Sequence, residues 1–330
     1  MKLSILDQIP ISEGETPQTA LQQTLQLAQI AEQLGYHRYW IAEHHDLAGL
    51  SCPAPDIMLS YVGAQTDRIR IGAGAVLLPH YKPFNIAERY NLLASLFPGR
   101  VDLGIGRAPG GSAEATSALN DRYLEKVRQY PELIDELIQF QTNGFPETNM
   151  FSKITPQPVP SVLPDVWLLG TSEKSALMAA EKGLPYSFAH FMTDKNGPQI
   201  VRTYKEQFIH HYPESKPKIV LAVSAICAET EKEARELALS QELWQVQQTK
   251  ADQNHAIPTI EAAKNYAYSE KDREMIGKAR KKQIVGNPSQ VKQQLEILRE
   301  MYQVDEMMIL TITHSYEARY RSYELIASQL

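Results

Sequence analysis

Short apolar runs alternate with amphipathic stretches along most of the chain. Eight runs stand out, at residues 2–7, 38–42, 69–78, 101–105, 166–169, 184–190, 218–226 and 306–310. Between them, apolar residues recur three and four positions apart, which is the period of a helix with one buried face. Strands and helices that alternate in this way predict an α/β protein with a parallel sheet. Eight strands predict a (β/α)₈ TIM barrel.

Helix boundaries are marked by residues with specific backbone preferences. Thr16 precedes Pro17 at the start of the first amphipathic stretch, which suits an N-cap followed by the first helical position. Gly35 follows the last apolar position and suits a C-cap. The first helix is therefore predicted between these residues, and the strand at 38–42 follows it directly.

Two further helices are predicted with specific apolar faces. Pro55 opens a helix that carries Ile57, Tyr61 and Ala64 on one face. A long helix is predicted over residues 121–140, where apolar residues again recur with helical spacing.

A polar, lysine-rich stretch at residues 246–283 interrupts the alternation between strands seven and eight. Its composition predicts a solvated helical insertion within a single domain of residues 1–330. Long insertions in such folds often gate a site, so a mobile lid over the barrel mouth is the sharper hypothesis.

Composition excludes several classes of function. The formal net charge is −6, and no block of lysine and arginine is interleaved with aromatic residues, so nucleic-acid binding is not expected. Cys52 and Cys227 are far apart and fit neither a disulfide framework nor a metal motif. Asp7 comes too early for a signal peptide, and the longest apolar run is too short for a membrane span. We expect a cytoplasmic protein that contacts no membrane.

Ionisable residues follow the second predicted strand, where Glu43, His44, His45 and Asp46 stand in a row. Active sites of barrels lie at the C-terminal ends of the strands, so a functional role for one histidine is expected. Adjacent strand residues point to opposite faces, so His44 and His45 are not expected to bind one metal ion.

A glycine-rich segment at residues 104–111 follows the fourth strand and contains Arg107. Pro109 takes the place of the third glycine of a dinucleotide fingerprint, so that motif is weak here. Tight turns also require glycine. An arginine at the catalytic edge of a barrel nevertheless favours binding of a phosphate or carboxylate.

Hydroxyl groups occur where the fifth strand meets its helix, at Thr171, Ser172 and Ser175 after Gly170. Such residues can simply cap the helix, and they can also bind an anion with the free backbone N–H groups. Together with Arg107 they predict a phosphate cradle.

Small residues fill the third strand, including Ala73, Gly74 and Ala75. They indicate either the taper of a barrel interior or the close approach of a flat ring to the backbone.

Several of these segments together give the chain a resemblance to a known family. The motifs are WIAEHH at 40–45, IGAGAVLLP at 71–79, GRVDLGIGRAPG at 99–110, residues 170–175 and THSYEARYRSYEL at 313–325. They resemble the bacterial luciferase-like flavin-dependent monooxygenases, and more closely the MsnO8-type oxidoreductase subgroup. The likeness covers essentially the whole chain.

The resemblance implies a (β/α)₈ barrel that binds FMN at its C-terminal edge. His44 matches the active-site histidine beside the flavin and the substrate pocket. Arg107, Ser172 and Ser175 match the phosphate contacts. The bond between Gly74 and Ala75 falls where members carry a non-prolyl cis peptide under the flavin ring.

The resemblance also implies the reaction and the partners. Reduced FMN would come from a separate flavin reductase, react with dioxygen and oxidise a small organic substrate, and the protein would be a homodimer. Thr171 stands where luciferase has an acidic residue, and Gly106 where it has a reactive cysteine, so light emission is not implied. A deazaflavin-dependent dehydrogenase or reductase and a non-catalytic flavin-binding protein remain alternatives.

Overall fold

The apolar runs form strands that are buried on both faces, as parallel strands between helices require. The computed structural model describes residues 1–211, 215–250 and 256–329. Its strands are β1 (Lys2–Asp7), β2 (Arg38–Ile41), β3 (Arg70–Leu77), β4 (Val101–Gly106), β5 (Asp165–Gly170), β6 (Tyr186–Ala189), β7 (Ile219–Cys227), β8 (Gln283–Gly286) and β9 (Glu306–Leu310).

Eight of these strands close into a parallel barrel. Each of β1 to β6 pairs with the next strand along the chain, β6 pairs with β7, and β7 pairs with β9. Pairing of β9 with β1 completes the ring. The predicted (β/α)₈ architecture is confirmed, and the run at residues 306–310 is the strand that closes the barrel.

Thirteen helices surround the barrel in the part of the chain that the structure describes. They are α1 (Pro17–Gln33), α2 (Pro55–Gly63), α3 (Pro83–Leu96), α4 (Ala113–Leu119), α5 (Tyr123–Arg128), α6 (Tyr130–Thr142), α7 (Glu173–Glu181), α8 (Gly197–Glu206), α9 (Glu231–Gln247), α10 (Ile260–Asn265), α11 (Glu270–Arg280), α12 (Pro288–Tyr302) and α13 (Tyr316–Ala327). The Thr16 hydroxyl accepts from the backbone N–H of Thr19, which confirms the predicted N-cap of α1.

The single helix predicted over residues 121–140 is wrong. The helical stretch is divided into α5 and α6 at Gln129, whose φ and ψ are −84° and 10°. Pro131 follows in the first turn of α6 and has no N–H to donate to the turn before it. The apolar period continues through the break, so periodicity alone did not reveal it.

The apolar face predicted for α2 points mostly to solvent. Ile57 and Tyr61 are 70% and 47% exposed, whereas Met58, Leu59 and Val62 are buried against the barrel. Because α2 carries apolar residues on both sides, the sequence did not decide which side packs inward.

Where the structure describes them, residues 246–283 are mainly helices and connections, and only Gln283 belongs to a strand. The start of this stretch belongs to α9, residues 251–255 lie outside the described part, and α10 and α11 follow. The stretch then enters β8. This strand pairs with β7 from Ser224 to Cys227, whereas β9 pairs with the preceding residues of β7 up to Ser224. The sequence did not predict this ninth strand.

The barrel is plugged at its N-terminal end. Arg38 of β2 forms buried ion pairs with Asp102 of β4 and Glu306 of β9, at 2.8 and 2.6 Å. Trp40 donates from its indole N–H to Asp102 and packs edge-on against Trp167 of β5. Because side chains fill the N-terminal end of the barrel, a cavity can form only at its C-terminal end. Within the described residues, no helix combines the length and apolarity that a membrane span requires.

Candidate active site

A cavity of about 400 Å³ opens at the C-terminal ends of the strands. Parallel strands bring these ends together although they are far apart in sequence. Eight of the nine residues singled out from the sequence line it, namely His44, Gly74, Ala75, Arg107, Gly170, Thr171, Ser172 and Ser175. Ala73 does not. It precedes Gly74 in β3 and therefore faces the opposite side, where it packs in the layer between barrel and helices.

His44 lines the cavity and has one buried ring nitrogen without a partner in the described part of the chain. Its Nδ1 is buried and has no hydrogen-bond partner among the described residues, while its backbone N–H donates to the carbonyl of Cys52 at 2.9 Å. Burial, assisted by repulsion from His45, lowers the pKa of His44 to about 4. The imidazole is therefore neutral at pH 7. A buried polar atom without a partner is costly unless a ligand satisfies it.

His45 and Glu43 hold the surrounding loops instead. His45 Nε2 lies 2.8 Å from Glu43 Oε1, which also accepts from the Tyr81 hydroxyl at 2.8 Å. The other carboxylate oxygen of Glu43 accepts from the backbone N–H of Leu77 at 3.1 Å. Glu43 thus connects the end of β2 to the end of β3 by hydrogen bonds. These bonds fix the part of the cavity wall that the two strand ends form.

The third strand presents flat backbone to the cavity. The peptide bond between Gly74 and Ala75 is cis, at the position that the family resemblance indicates. A Cβ atom on Gly74 would lie 2.8 Å from Leu6 Cδ1, and one on Gly106 would lie 3.2 Å from Ala75 Cβ. Small residues on two neighbouring strands therefore leave a surface on which a planar group can rest.

The candidate anion site follows the ends of the neighbouring strands β4 and β5. Arg107 is exposed at the cavity and forms no ion pair with any described residue. Ser172 caps α7, and Ser172 and Ser175 exchange hydrogen bonds from backbone N–H to hydroxyl at 3.2 and 3.3 Å. A Cβ on Gly170 would lie 2.2 Å from Ser175 Oγ, so glycine is needed for this loop to close on the helix.

The arrangement brings together a free guanidinium, serine hydroxyls and the N-terminus of a nine-residue helix. These are the groups that bind phosphate and carboxylate in proteins. Capping and anion binding are compatible here, because the capping box uses only part of the polar groups at the helix end.

Two residues that the sequence reasoning missed also line the anion end of the cavity. Lys174, in the first turn of α7, adds a second cation to the lining of the cavity that contains Arg107. The Tyr130 hydroxyl is buried without a partner among the described residues, and burial raises its pKa although Arg107 opposes the rise. Lys174 could have been noticed from its position beside Ser172. Tyr130 carries no sequence signal, because it looks like an ordinary apolar helix residue.

The rest of the lining is largely apolar. It includes Leu6, Leu77, Leu169, Met178, Phe191, Met192 and Met308. A ligand with an anionic end, a planar body and room for an apolar molecule beside it fits this distribution. Three convergent His, Cys, Asp or Glu side chains, as a metal ion needs, do not occur among the residues that the structure describes.

Comparison with known proteins gives consistent matches over the chain. A family model described as luciferase-like monooxygenase matches residues 1–303. The uncharacterised protein YwcH of Bacillus subtilis (strain 168) is 42% identical over 326 residues, covering 99% of this chain and 98% of that protein. The N-acetyl-S-alkylcysteine monooxygenase of the same organism is 35% identical over 328 residues, covering 99% and 97%. The crystal structure of apo-MsnO8 superposes with a TM-score of 0.87 and 31% identity, covering 99% and 97%.

Proposed function

The chain belongs to the luciferase-like monooxygenase family, and we propose that it uses reduced FMN and dioxygen to oxidise a small organic substrate. A separate flavin reductase would supply the reduced FMN. One observation carries the proposal: the unpartnered, neutral His44 opens into the same cavity as an anion site with an unpaired arginine.

The residues of the cavity fit FMN at both ends. Arg107 and Lys174 would hold the phosphate together with the hydroxyls of Ser172 and Ser175. The flat backbone at Gly74 would support the ring system. Bound in its reduced form, FMN supplies the electrons for dioxygen activation, and the protein supplies orientation and a dry environment.

His44 is suited to hydrogen bonding and to accepting a proton. With a pKa of about 4 it is uncharged at neutral pH, so one ring nitrogen can donate and the other can accept. Its ring lines the cavity, where a group of the cofactor or of the substrate can approach it. We therefore assign His44 as the residue that orients the reacting groups and receives or returns a proton there.

The substrate class to test first comes from a relative. The N-acetyl-S-alkylcysteine monooxygenase covers nearly the whole chain at 35% identity. The apolar lining, with Met178, Met192 and Met308, is compatible with an alkyl thioether. N-acetyl-S-alkylcysteines are accordingly the first substrates to test for oxygen uptake.

The proposal is tested by oxygen uptake with chemically reduced FMN. Wild-type protein should consume oxygen faster when the right substrate is present, and the product should contain one atom from labelled dioxygen. His44→Ala should lose about 10²-fold or more of this activity, the scale of acid–base assistance, while binding FMN nearly as well as wild type. Unchanged turnover in His44→Ala contradicts the assigned role.

The same assay separates the alternatives. Turnover with a reduced deazaflavin and no oxygen consumption would favour a deazaflavin-dependent dehydrogenase or reductase. Stable FMN binding without substrate-dependent oxygen consumption across the substrate panel would favour a non-catalytic flavin-binding protein.

Arg107→Leu tests the phosphate site. Loss of a charge-assisted hydrogen bond should weaken FMN binding about 10- to 100-fold. Arg122→Leu is the matched control, since Arg122 is also an exposed arginine but does not line the cavity. Fluorescence titration of FMN measures both. Equal affinities of the two variants would place the phosphate elsewhere.

We also propose a homodimer that forms through α2 and α3. These helices pack together, and Arg89 of α3 pairs with Asp56 of α2 at 3.3 Å. Each presents two exposed apolar side chains one turn apart, Ile57 and Tyr61 on α2 and Leu92 and Leu96 on α3. Exposed apolar side chains on two packed helices are the kind of surface that a subunit interface covers.

A further inference from the structure

Gln8 projects into the cavity from the end of β1 without a partner in the protein. It lines the cavity and is half-buried, and its side-chain amide makes no hydrogen bond to any residue that the structure describes. Asp7 is in register with Ile41, and Ile41 with Ala73, so the next residues, Gln8, Ala42 and Gly74, stand at one level. The amide of Gln8 therefore stands level with the flat backbone of β3.

Around the barrel, Gln8 lies on the side of the cavity away from the cations, which is the side left for the substrate. The cations Arg107 and Lys174 follow β4 and β5, and the strand order places β1 on the other side of β2 and β3. Beyond β1 the lining comes from Met308 of β9, Ala222 of β7 and Ala189 of β6. Apart from Ser187 of β6 this wall is apolar, and it carries no cation among its described residues.

The backbone beside Gln8 is held in an unfavourable conformation. Ile9 has a φ of 52°, which a β-branched residue rarely adopts. The Asp7 carboxylate accepts from the backbone N–H of Ile9 at 2.7 Å and from Arg319 Nη2 at 2.6 Å. The buried ion pair with Arg319 thus supports the turn that follows Gln8, and such turns persist only where their surroundings fix them.

The C-terminal motif at residues 313–325 supplies several of the contacts that fix this loop, and Gly49, Ser51 and Ile257 supply others. The Tyr316 hydroxyl donates to the carbonyl of Pro10 at 3.1 Å and accepts from the backbone N–H of Ser12 at 3.4 Å. The Ser12 hydroxyl donates to the carbonyl of His314 at 2.5 Å. Residues of the motif therefore bind the loop between β1 and α1 on both sides of Ile9.

We propose that Gln8 hydrogen-bonds a neutral, amide-like group of the substrate, and that α13 positions Gln8 through Arg319, Asp7 and Tyr316. This rests on the proposed function, because the cofactor is taken to occupy the side of Arg107. A primary amide offers both a donor and an acceptor, so it matches an amide or a carbonyl of the substrate. A carboxylate directed at this wall would meet no cation.

The first test uses the FMN-loaded protein and two probes of similar length, N-butylacetamide and hexanoate. Ligand-observed saturation-transfer NMR measures their affinities. Wild type should bind the amide more tightly than the carboxylate, and Gln8→Leu should weaken amide binding about fivefold, the scale of one hydrogen bond between neutral groups. FMN affinity should not change. Equal amide binding in Gln8→Leu and wild type, or preference of wild type for hexanoate, overturns the proposal.

The positioning role is tested by a matched pair of variants on α13. Tyr316→Phe removes the hydroxyl that holds Pro10 and Ser12. Tyr320→Phe removes a hydroxyl that donates to the carbonyl of Gln23 on α1 at 2.9 Å and makes no hydrogen bond to the described residues of the loop between β1 and α1. Both should lower Tm, but only Tyr316→Phe should weaken binding of N-butylacetamide, about threefold if part of one hydrogen bond is lost. Equal effects of the two variants overturn the positioning role.

FMN titration distinguishes failure of this inference from failure of the proposed function. Wild-type protein that binds no FMN contradicts the proposed function. Wild-type protein that binds FMN, with Gln8→Leu indistinguishable from it toward the amide, contradicts only the role of Gln8.

Discussion

His44 is kept neutral by burial rather than by a hydrogen bond. Removal of water disfavours the imidazolium, and His45 beside it adds repulsion, so the pKa falls to about 4. Glu43 is close in sequence, but its oxygens already accept from His45, Tyr81 and the backbone of Leu77. His44 is therefore an uncharged imidazole over the physiological pH range.

This lowered pKa predicts a specific pH dependence of stability. Between pH 6.5 and about 4 the unfolded chain binds a proton at His44 and the folded chain does not, so folding stability falls as the pH drops through this window. Below about pH 4 both states are protonated and the contribution stays constant. The lost stability is up to about 3 kcal/mol for a shift of this size.

Urea unfolding of wild type and His44→Asn at pH 7, 5 and 4 checks this expectation. The difference in unfolding free energy between the two proteins should change in favour of the variant as the pH falls. NMR titration of the His44 ring should give a midpoint near 4. Parallel pH profiles, or a midpoint near the ordinary value of about 6.5, would show that the ring is not desolvated.

At the scale of elements, the proposed anion site depends on close contact between the end of β5 and the start of α7. Gly170 leaves the space that Ser175 occupies, and Ser175 Oγ also lies 2.9 Å from the Tyr186 hydroxyl of β6. One residue thus connects the cap of α7 to two strands, and the phosphate cradle depends on this packing.

Gly170→Ala is predicted to disturb this junction. Its Cβ would lie 2.2 Å from Ser175 Oγ and 2.5 Å from Ser175 Cβ, so the helix start has to shift. We expect a loss of about 1–3 kcal/mol in stability, as for overpacking, together with weaker FMN binding. Thermal unfolding and FMN titration measure the two effects.

Gly277→Ala is the control for Gly170→Ala. Gly277 lies inside α11 with nothing within 4 Å of the added Cβ, so alanine should stabilise the protein by about 0.5–1 kcal/mol. FMN affinity should stay at the wild-type value. Tight FMN binding by Gly170→Ala would mean that the cradle does not depend on the junction.

At the scale of the whole molecule, the two ends of the barrel have different roles. Buried ion pairs of Arg38 with Asp102 and Glu306 plug the N-terminal end. The C-terminal end keeps unpartnered polar groups around a cavity, including His44 Nδ1 and the Tyr130 hydroxyl. Stability and ligand binding are thus assigned to opposite ends of one barrel, as this fold generally arranges them.

Lysine substitutions at exposed apolar residues of α2 and α3 test the proposed dimer. The double variant Ile57→Lys/Leu92→Lys should be monomeric, because two desolvated charges oppose burial of the apolar surface. Its mass by light scattering should be close to 37.2 kDa, and that of wild type twice this value. Ile297→Lys, a change at an exposed apolar residue of α12, should leave the dimer intact. A monomeric wild type contradicts the proposal.

The sequence predicted those features that are local or periodic. Apolar runs of strand length and helical spacing predicted the eight barrel strands, because burial on both faces or on one face leaves that pattern in the chain. His44, Arg107 and Ser172 follow strand ends, and in a parallel barrel all such ends lie at one edge. That rule placed eight of the nine selected residues in one cavity.

Tertiary structure alone decided which side chains are partnered and which face of an element is covered. The separation of Ala73 from the cavity depends on the register of β3, and the exposure of Ile57 depends on which side of α2 packs on the barrel. Gln8 and Tyr130 acquire their roles from the absence of a hydrogen-bond partner among the described residues. Such contacts join residues that are distant in the chain, so no local pattern encodes them.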